Sequence, residues 1–398
     1  MESFAESLLQ PSPELLDARA IPAAGADLLD TGMSPFGWSG ISRFVFCPQL
    51  EVFTREQGRF ATPAKPDVLL GASEVSPRDW GTLGHVGLAH RFGRAGARHG
   101  PLRAGDKIIH SPDELLPMDA AVELSTRNRG FDHAVARHIK AYLAVKLEKD
   151  TPTGRARGVE ILFRAVLGRP RTGPNAGRFG LWVVADPPGG WPAFPTPAHE
   201  REYLLNMPEA LLIGMDGAQI EPRRMKLRAR PDGVEHPWEG KLIWMTRRFD
   251  LLEEPSRNVL DLWDHKVSAK MWGQAVVDGY RNDEQFSACR LMLAQVAGPL
   301  FGCRAGQVWV NHVHRLQPYV SGKEPLAEVG ADSRFPQSYL FRWSMRALME
   351  RDVPTEQWDA RGIETACITK YGPCDAYNAC AARRRHIEGE GEMIKLIS

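Results

Sequence analysis

Asp264 and Lys266 stand two residues apart at the end of the run NVLDLWDHK, read as a strand, and Asp250 is read as ending the preceding strand, in KLIWMTRRFDLL. On a strand, residues i and i+2 point to one face, so Asp264 and Lys266 share a face while His265 points away. The turn between the runs, with Glu254, Pro255 and Ser256, is short enough to make them neighbouring strands, which brings Asp250 to the other two at one end of a sheet. Phosphodiester hydrolysis needs this group of parts. Carboxylates hold a divalent cation, Mg2+ or Mn2+; the cation polarises the phosphate and activates water; a lysine stabilises charge or positions the nucleophile. Charged residues at strand ends are more often simply solvated, so the triplet depends on its surroundings.

Those surroundings are a set of alternating and helical patterns. RRMKLRAR from Arg223, KLIWMTRRFDLL and NVLDLWDHK read as an antiparallel three-strand meander with turns at Pro231–Gly233 and Glu254–Ser256. Met271 to Arg281 and Glu284 to Val296 read as helices, VWVNHV as a strand, and Ser338 to Glu350 as a late helix. Upstream, Trp80 to Phe92 and Phe131 to Leu147 read as parts of a helical layer, separated by a basic, Gly-rich loop with Arg94, Arg98 and Arg103. VEILFRAV and FGLWVVAD read as strands joined by RPRTGPNAG, before a Pro/Gly-rich loop from Pro187 to Pro197. In RRMKLRAR, Arg224, Lys226, Arg228 and Arg230 alternate with apolar residues, giving a cationic face that either tracks phosphates or is solvated.

A meander with an acid on its second strand, D-x-K on its third and a helix after it resembles the core of PD-(D/E)XK nucleases, in their RecB-like branch. The resemblance covers residues 39–48, 81–85, 223–289 and 367–380. It implies an α/β fold with a central mixed sheet flanked by helices. It also implies a deoxyribonuclease, an exonuclease acting on single-stranded or frayed DNA ends in recombination, repair or phage and CRISPR DNA processing. The family's G-x-x-x-H helix is matched by GTLGH, which makes His85 a metal ligand beside Asp250 and Asp264, with His90 a lesser candidate. The family's Q-x-x-x-Y motif is met by Gln285, but Cys289 stands where tyrosine is usual, and Tyr280 is a candidate substitute. PDGVEHPWEGK also matches the written pattern through Asp232, Glu239 and Lys241, but these fall at the wrong ends of their strands; Asp232 stays open as an alternative first acid.

The tail ACITKYGPCDAYNAC places Cys367, Cys374 and Cys380 where three thiolates can converge on one centre, for which zinc and iron–sulfur clusters compete. The resemblance adds Cys47, before Pro48, as fourth ligand and implies a structural 4Fe-4S cluster joining the two ends of the chain. Cys289 and Cys303 are then structural. Arg383, Arg384 and Arg385 follow the cluster and either line a path for the nucleic acid or end a helix in solvent.

The chain has 398 residues, 43% of them hydrophobic, enough to fill a real core, and 50 Lys and Arg against 49 Asp and Glu, so any DNA site must come from local clustering. No run approaches the roughly 18 apolar residues of a membrane span, and no secretion signal is seen, so a cytoplasmic protein is expected. There is no G-x-x-x-x-G-K-[ST] loop, which argues against an ATP-driven motor in this chain; the resemblance implies partners such as a helicase, recombinase or integrase. The expected divisions are an extension (1–32), a helical region with Cys47 and His85 (33–150), an insertion (151–222), the nuclease core (223–350) and an iron–sulfur-stapled region (351–398). A catalytically silent iron–sulfur subunit that binds DNA within a larger complex is the alternative.

Overall fold

A computed structural model of the chain describes most of residues 68–207 and 242–326, with short pieces at 36–37, 218–219, 368–369 and 372–373. The strand pair β1 (Val68–Leu70) and β2 (Ser73–Val75) leads into helix α1 (Pro77–Arg94). Strand β3 (Arg98–His99) and the hairpin of β4 (Leu102–Ala104) and β5 (Lys107–Ile109) precede α2 (Met118–Asn128) and α3 (His133–Lys149). Next come β6 (Arg155–Gly168), β7 (Gly180–Val183), α4 (Pro197–Asn206) and β8 (Ala218–Gln219). The hairpin of β9 (Ile243–Ser256) and β10 (Val259–Ser268) is followed by α5 (Gln274–Arg281), α6 (Glu284–Phe301), β11 (Arg304–His314) and β12 (Ser321–Pro325). A separate two-stranded pair, β13 (Ile368–Thr369) and β14 (Gly372–Pro373), lies between Cys367 and Cys374 in the sequence.

These elements form an α/β fold around one mixed sheet of order β12-β11-β10-β9-β6-β7-β8, with β3 also on β6. β10 and β11 are parallel, as the α5–α6 crossover between them requires, and β6, β9 and β10 run antiparallel to their neighbours in turn. One face is covered by α6, whose Phe286, Cys289, Met292, Leu293 and Val296 cluster with Phe163, Met245, Phe249, Leu262 and Val310. The other is covered by the α1–α3 layer: Val86 and Ala89 meet Val159, and Leu83, Ile139 and Leu143 cluster with Val313. The α6 helix is fixed at its start by Asp283, whose carboxylate accepts from Gln285 N, and at its end by Gly302 at φ +64°.

The expected helices and strands within the described residues are present, with α1, α3, α5 and α6 each shifted by a few residues at one or both ends. Two expectations need correction. The run VEILFRAV is not in an insertion beside the core: it lies in β6, which pairs with β9 along nearly its whole length and is central to the sheet. Its residues are buried on both faces, so it reads as a strand without revealing its partner. Asp250 does not end its strand, since β9 continues to Ser256. The structure also adds an element, α2, which carries its apolar face on Ala121, Val122 and Leu124. RRMKLRAR, the Asp232–Lys241 alternative and Ser338–Glu350 lie outside the described residues.

Candidate metal centre

The site forms where two strands part. The ladder between β9 and β10 ends at Leu251 opposite Trp263. Beyond it β9 keeps β6, and β10 keeps β11, as its only neighbour among these strands. At the fork His265 N donates to Asp250 Oδ2 (2.7 Å), so a side chain takes the backbone donor that the ladder abandons. Farther along the opened edge of β9, Gly37 bridges Thr246, and Thr246 N donates to Phe36 O (3.3 Å). The mid-strand position of Asp250 thus gives it the role that a strand end was expected to give.

Across β6 the register pairs Val159 with Leu251 and Ile161 with Phe249, which sets Glu160 against Asp250. Glu160 has φ +52°, a left-handed conformation uncommon for a residue with a side chain. It reverses the alternation of the strand: Val159 packs with the α1 layer, whereas Ile161 packs in the α6 cluster. Gly100 makes room for this kink. It donates its N–H to Val159 O (2.9 Å), and a Cβ there would overlap the Glu160 carbonyl.

His85 reaches the same point from α1. Its Nδ1 lies 2.8 Å from Glu160 Oε1 and its Nε2 4.0 Å from Asp250 Oδ2. His85, Glu160 and Asp250 offer ligand atoms that all lie within 4.8 Å of one another. An imidazole and two carboxylates on three separate elements suit a divalent cation such as Mn2+ or Mg2+. The charges fit as well. Burial works against a charged His85, but Asp250 and Glu160 outweigh it and hold its pKa up at about 9. Burial pushes Asp250 up to about 6, against the pull of His85. A buried pair of carboxylates is therefore balanced by a proton on histidine where a metal would balance it better.

Asp264 lies beside this trio with both oxygens against cations, Oδ1 at 2.7 Å from Lys266 Nζ and Oδ2 at 2.8 Å from Arg247 Nη2. Burial opposes its charge, yet Lys266 and Arg247 hold its pKa below the usual carboxylate range. Burial opposes the charge of Lys266 too, but Asp264 outweighs it and holds the ammonium above its ordinary value, so Lys266 is a cation at neutral pH and not a base. Its Nζ sits 5.8 Å from the centre of the Phe286 ring. Arg247 Nε donates to Cys289 Sγ (3.0 Å); burial pushes that thiol up, so the sulfur accepts as a neutral group and Asp264 supplies the compensating charge.

The structure thus brings together His85, Asp250, Asp264 and Lys266, and adds Glu160 and Arg247, which the sequence pattern does not single out. Asp264, expected to ligate metal directly, is ion-paired through Oδ1 with Lys266 and through Oδ2 with Arg247, and Oδ1 makes no hydrogen bond among the described residues. Gln285, expected to orient the site, donates its amide to Asp283 Oδ2 (2.6 Å) at the start of α6 instead. Tyr280 bonds His312 Nδ1 (2.9 Å), and because His312 Nε2 faces Lys270 O (2.8 Å) and must donate to it, the phenol is the donor to Nδ1. His90 is fully buried, accepts from Leu116 N (3.0 Å) and has its pKa lowered by burial to about 4; it is not part of the His85, Glu160 and Asp250 group. His265 turns toward His85, ring centres 6.3 Å apart, and away from the Asp264–Lys266 pair as expected. Cys289 and Cys303 are buried free thiols. Cys47, Cys367, Cys374, Cys380 and the arginines and lysine at 224, 226, 228, 230 and 383–385 lie outside the described residues.

Comparison with protein-family models, curated proteins and solved structures finds no match to this chain. No described helix is long and apolar enough to cross a membrane.

Proposed function

We propose that the chain is a metal-dependent deoxyribonuclease of the RecB-like PD-(D/E)XK kind, acting as an exonuclease on single-stranded or frayed DNA ends. The observation that carries this reading is the convergence of His85, Glu160 and Asp250 within ligand reach of one cation, beside the D-x-K pair Asp264 and Lys266. A divalent cation bound there would supply Lewis acidity toward a phosphate oxygen and an activated water. Lys266, protonated and partly exposed at 31% of its side chain, is placed to meet negative charge developing on the phosphate. Asp264 holds that ammonium in position, and Arg247 braces Asp264 from its other oxygen. The β9–β10 hairpin, with Asp250 on one strand, Asp264 and Lys266 on the other and a helix following, supports the reading; the strand beside β9 is β6. A 4Fe-4S cluster on Cys47, Cys367, Cys374 and Cys380 belongs to the same reading, supported by the spacing of the three C-terminal cysteines and by the resemblance, which supplies Cys47.

The test is incubation of anaerobically purified protein with end-labelled single- and double-stranded DNA plus Mn2+ or Mg2+, beside Lys266→Ala. Metal-dependent cleavage that falls by roughly 100-fold or more in the variant, the loss seen when one charge-stabilising group is removed, is the expected result. A second reading is a catalytically silent DNA-binding subunit, favoured by the Gln285 amide being held by Asp283 and by Cys289 at the tyrosine position. DNA binding without cleavage under any metal would select it.

A further inference from the structure

The fork has two halves with opposite charge logic. On the α1 side, His85, Glu160 and Asp250 offer ligand atoms within 4.8 Å of one another, and Arg248 Nη1 lies 3.9 Å from Glu160 Oε2. On the α6 side, Asp264 is already supplied, with Lys266 Nζ 2.7 Å from one oxygen and Arg247 Nη2 2.8 Å from the other. A two-cation nuclease centre keeps its ions about 3.5–4 Å apart, and Asp264, which acts electrostatically on Asp250, is the carboxylate beside the trio that a second ion would draw on.

Resting on the metal-dependent reading above, we propose that this centre takes one divalent cation, and that Arg247 and Lys266 stand at Asp264 where a second would bind. Arg247 cannot easily swing aside. Its Nε is tied to Cys289 Sγ (3.0 Å), its side chain is 16% exposed, and Asp264 beneath it is 5% exposed. Releasing Asp264 for a metal would strand the guanidinium in a buried place without its charge partner, which is costly. Two positive charges within hydrogen-bond distance of the carboxylate also repel an arriving dication. Cys289 then has a definite role, since its small sulfur accepts the Arg247 Nε–H where a larger side chain on α6 would claim that space. Arg247 is a positioning residue, acting through Asp264 and Lys266.

The experiment counts Mn2+ on the full chain by equilibrium dialysis and by its electron paramagnetic resonance spectrum, with no need for cleavage. Asp250→Asn serves as the control that identifies ions bound at this centre. The wild type should bind one Mn2+ that Asp250→Asn loses, with the spectrum of an isolated ion. Arg247→Met should admit a second Mn2+ and show the broadening of a coupled pair, while Arg247→Lys, which keeps the charge, should return to one. Two coupled ions in the wild type, both lost in Asp250→Asn, overturn the proposal and leave the metal centre standing. No Asp250-dependent Mn2+ at all overturns the metal centre itself. A folded Arg247→Met that still binds one ion overturns the role given to Arg247; if that variant does not fold, the wild-type count decides.

Discussion

Glu160 is one of the three residues of the candidate cation site, yet nothing in its local sequence marks it. It sits in VEILFRAV among residues that are buried because they pack, and a single glutamate in such a run has no partner at fixed spacing. Asp264 and Lys266 are legible because one strand carries both; His85 is legible through the G-x-x-x-H pattern of a helix. Glu160 becomes visible only when β6 is laid against β9 and falls opposite Asp250. Glu160→Gln keeps the shape and removes one of the two formal charges facing His85. Mn2+ affinity should drop by at least about tenfold, as for lost groups that support a metal site, in an isothermal titration. Unchanged affinity would remove Glu160 from the ligand set.

At the scale of elements, helices α1, α3, α5 and α6 and strands β6, β9, β10 and β11 can be read from periodicity, because each buries a face or both faces within its own length. Their pairing cannot. The turn between β9 and β10 is short and fixes one hairpin, whereas β6 joins β9 across a long intervening stretch by register alone. The kink at Glu160 depends on such a distant neighbour, Gly100, just past β3. Gly100→Ala should push β3 from β6, costing roughly 1–3 kcal/mol in urea unfolding as other overpacked sites do, and should weaken Mn2+ binding as well. Gly96→Ala offers the contrast: φ is +88° but the space around it is open. It should cost about 1 kcal/mol of backbone strain and leave Mn2+ affinity alone. Equal effects on metal binding from both variants would mean that Gly100 does not act through Glu160.

At the scale of the whole molecule, the helical layer carries a polar contact that responds to acid, between α1 and the segment leading into α2. His90, buried on α1 where the chain from Leu116 returns, is neutral in the folded state with its pKa at about 4. Unfolded, it takes up a proton near its ordinary value of 6.5. Between these values the unfolded chain binds more protons, so stability falls as pH drops through the window and is retained above it. Wild type should lose roughly 3 kcal/mol more than His90→Asn, whose amide oxygen can still accept from Leu116 N, between pH 6.5 and 4 in denaturant titrations. Parallel curves would show that the imidazole is not the group responsible.

The fork between β9 and β10 also sets an order of assembly. His85 and Glu160 are synthesised well before Asp250, and Glu160 finds its place only after β6 has captured β9, a pairing of distant segments that closes slowly. Until then the chain holds an imidazole and a carboxylate without the third ligand, and the hairpin that brings Asp250 also brings Asp264 and Lys266. The three proposed ligands and the lysine are therefore complete only when the β9–β10 hairpin is paired with β6, and a chain without that pairing carries neither the ligand set nor the placed lysine.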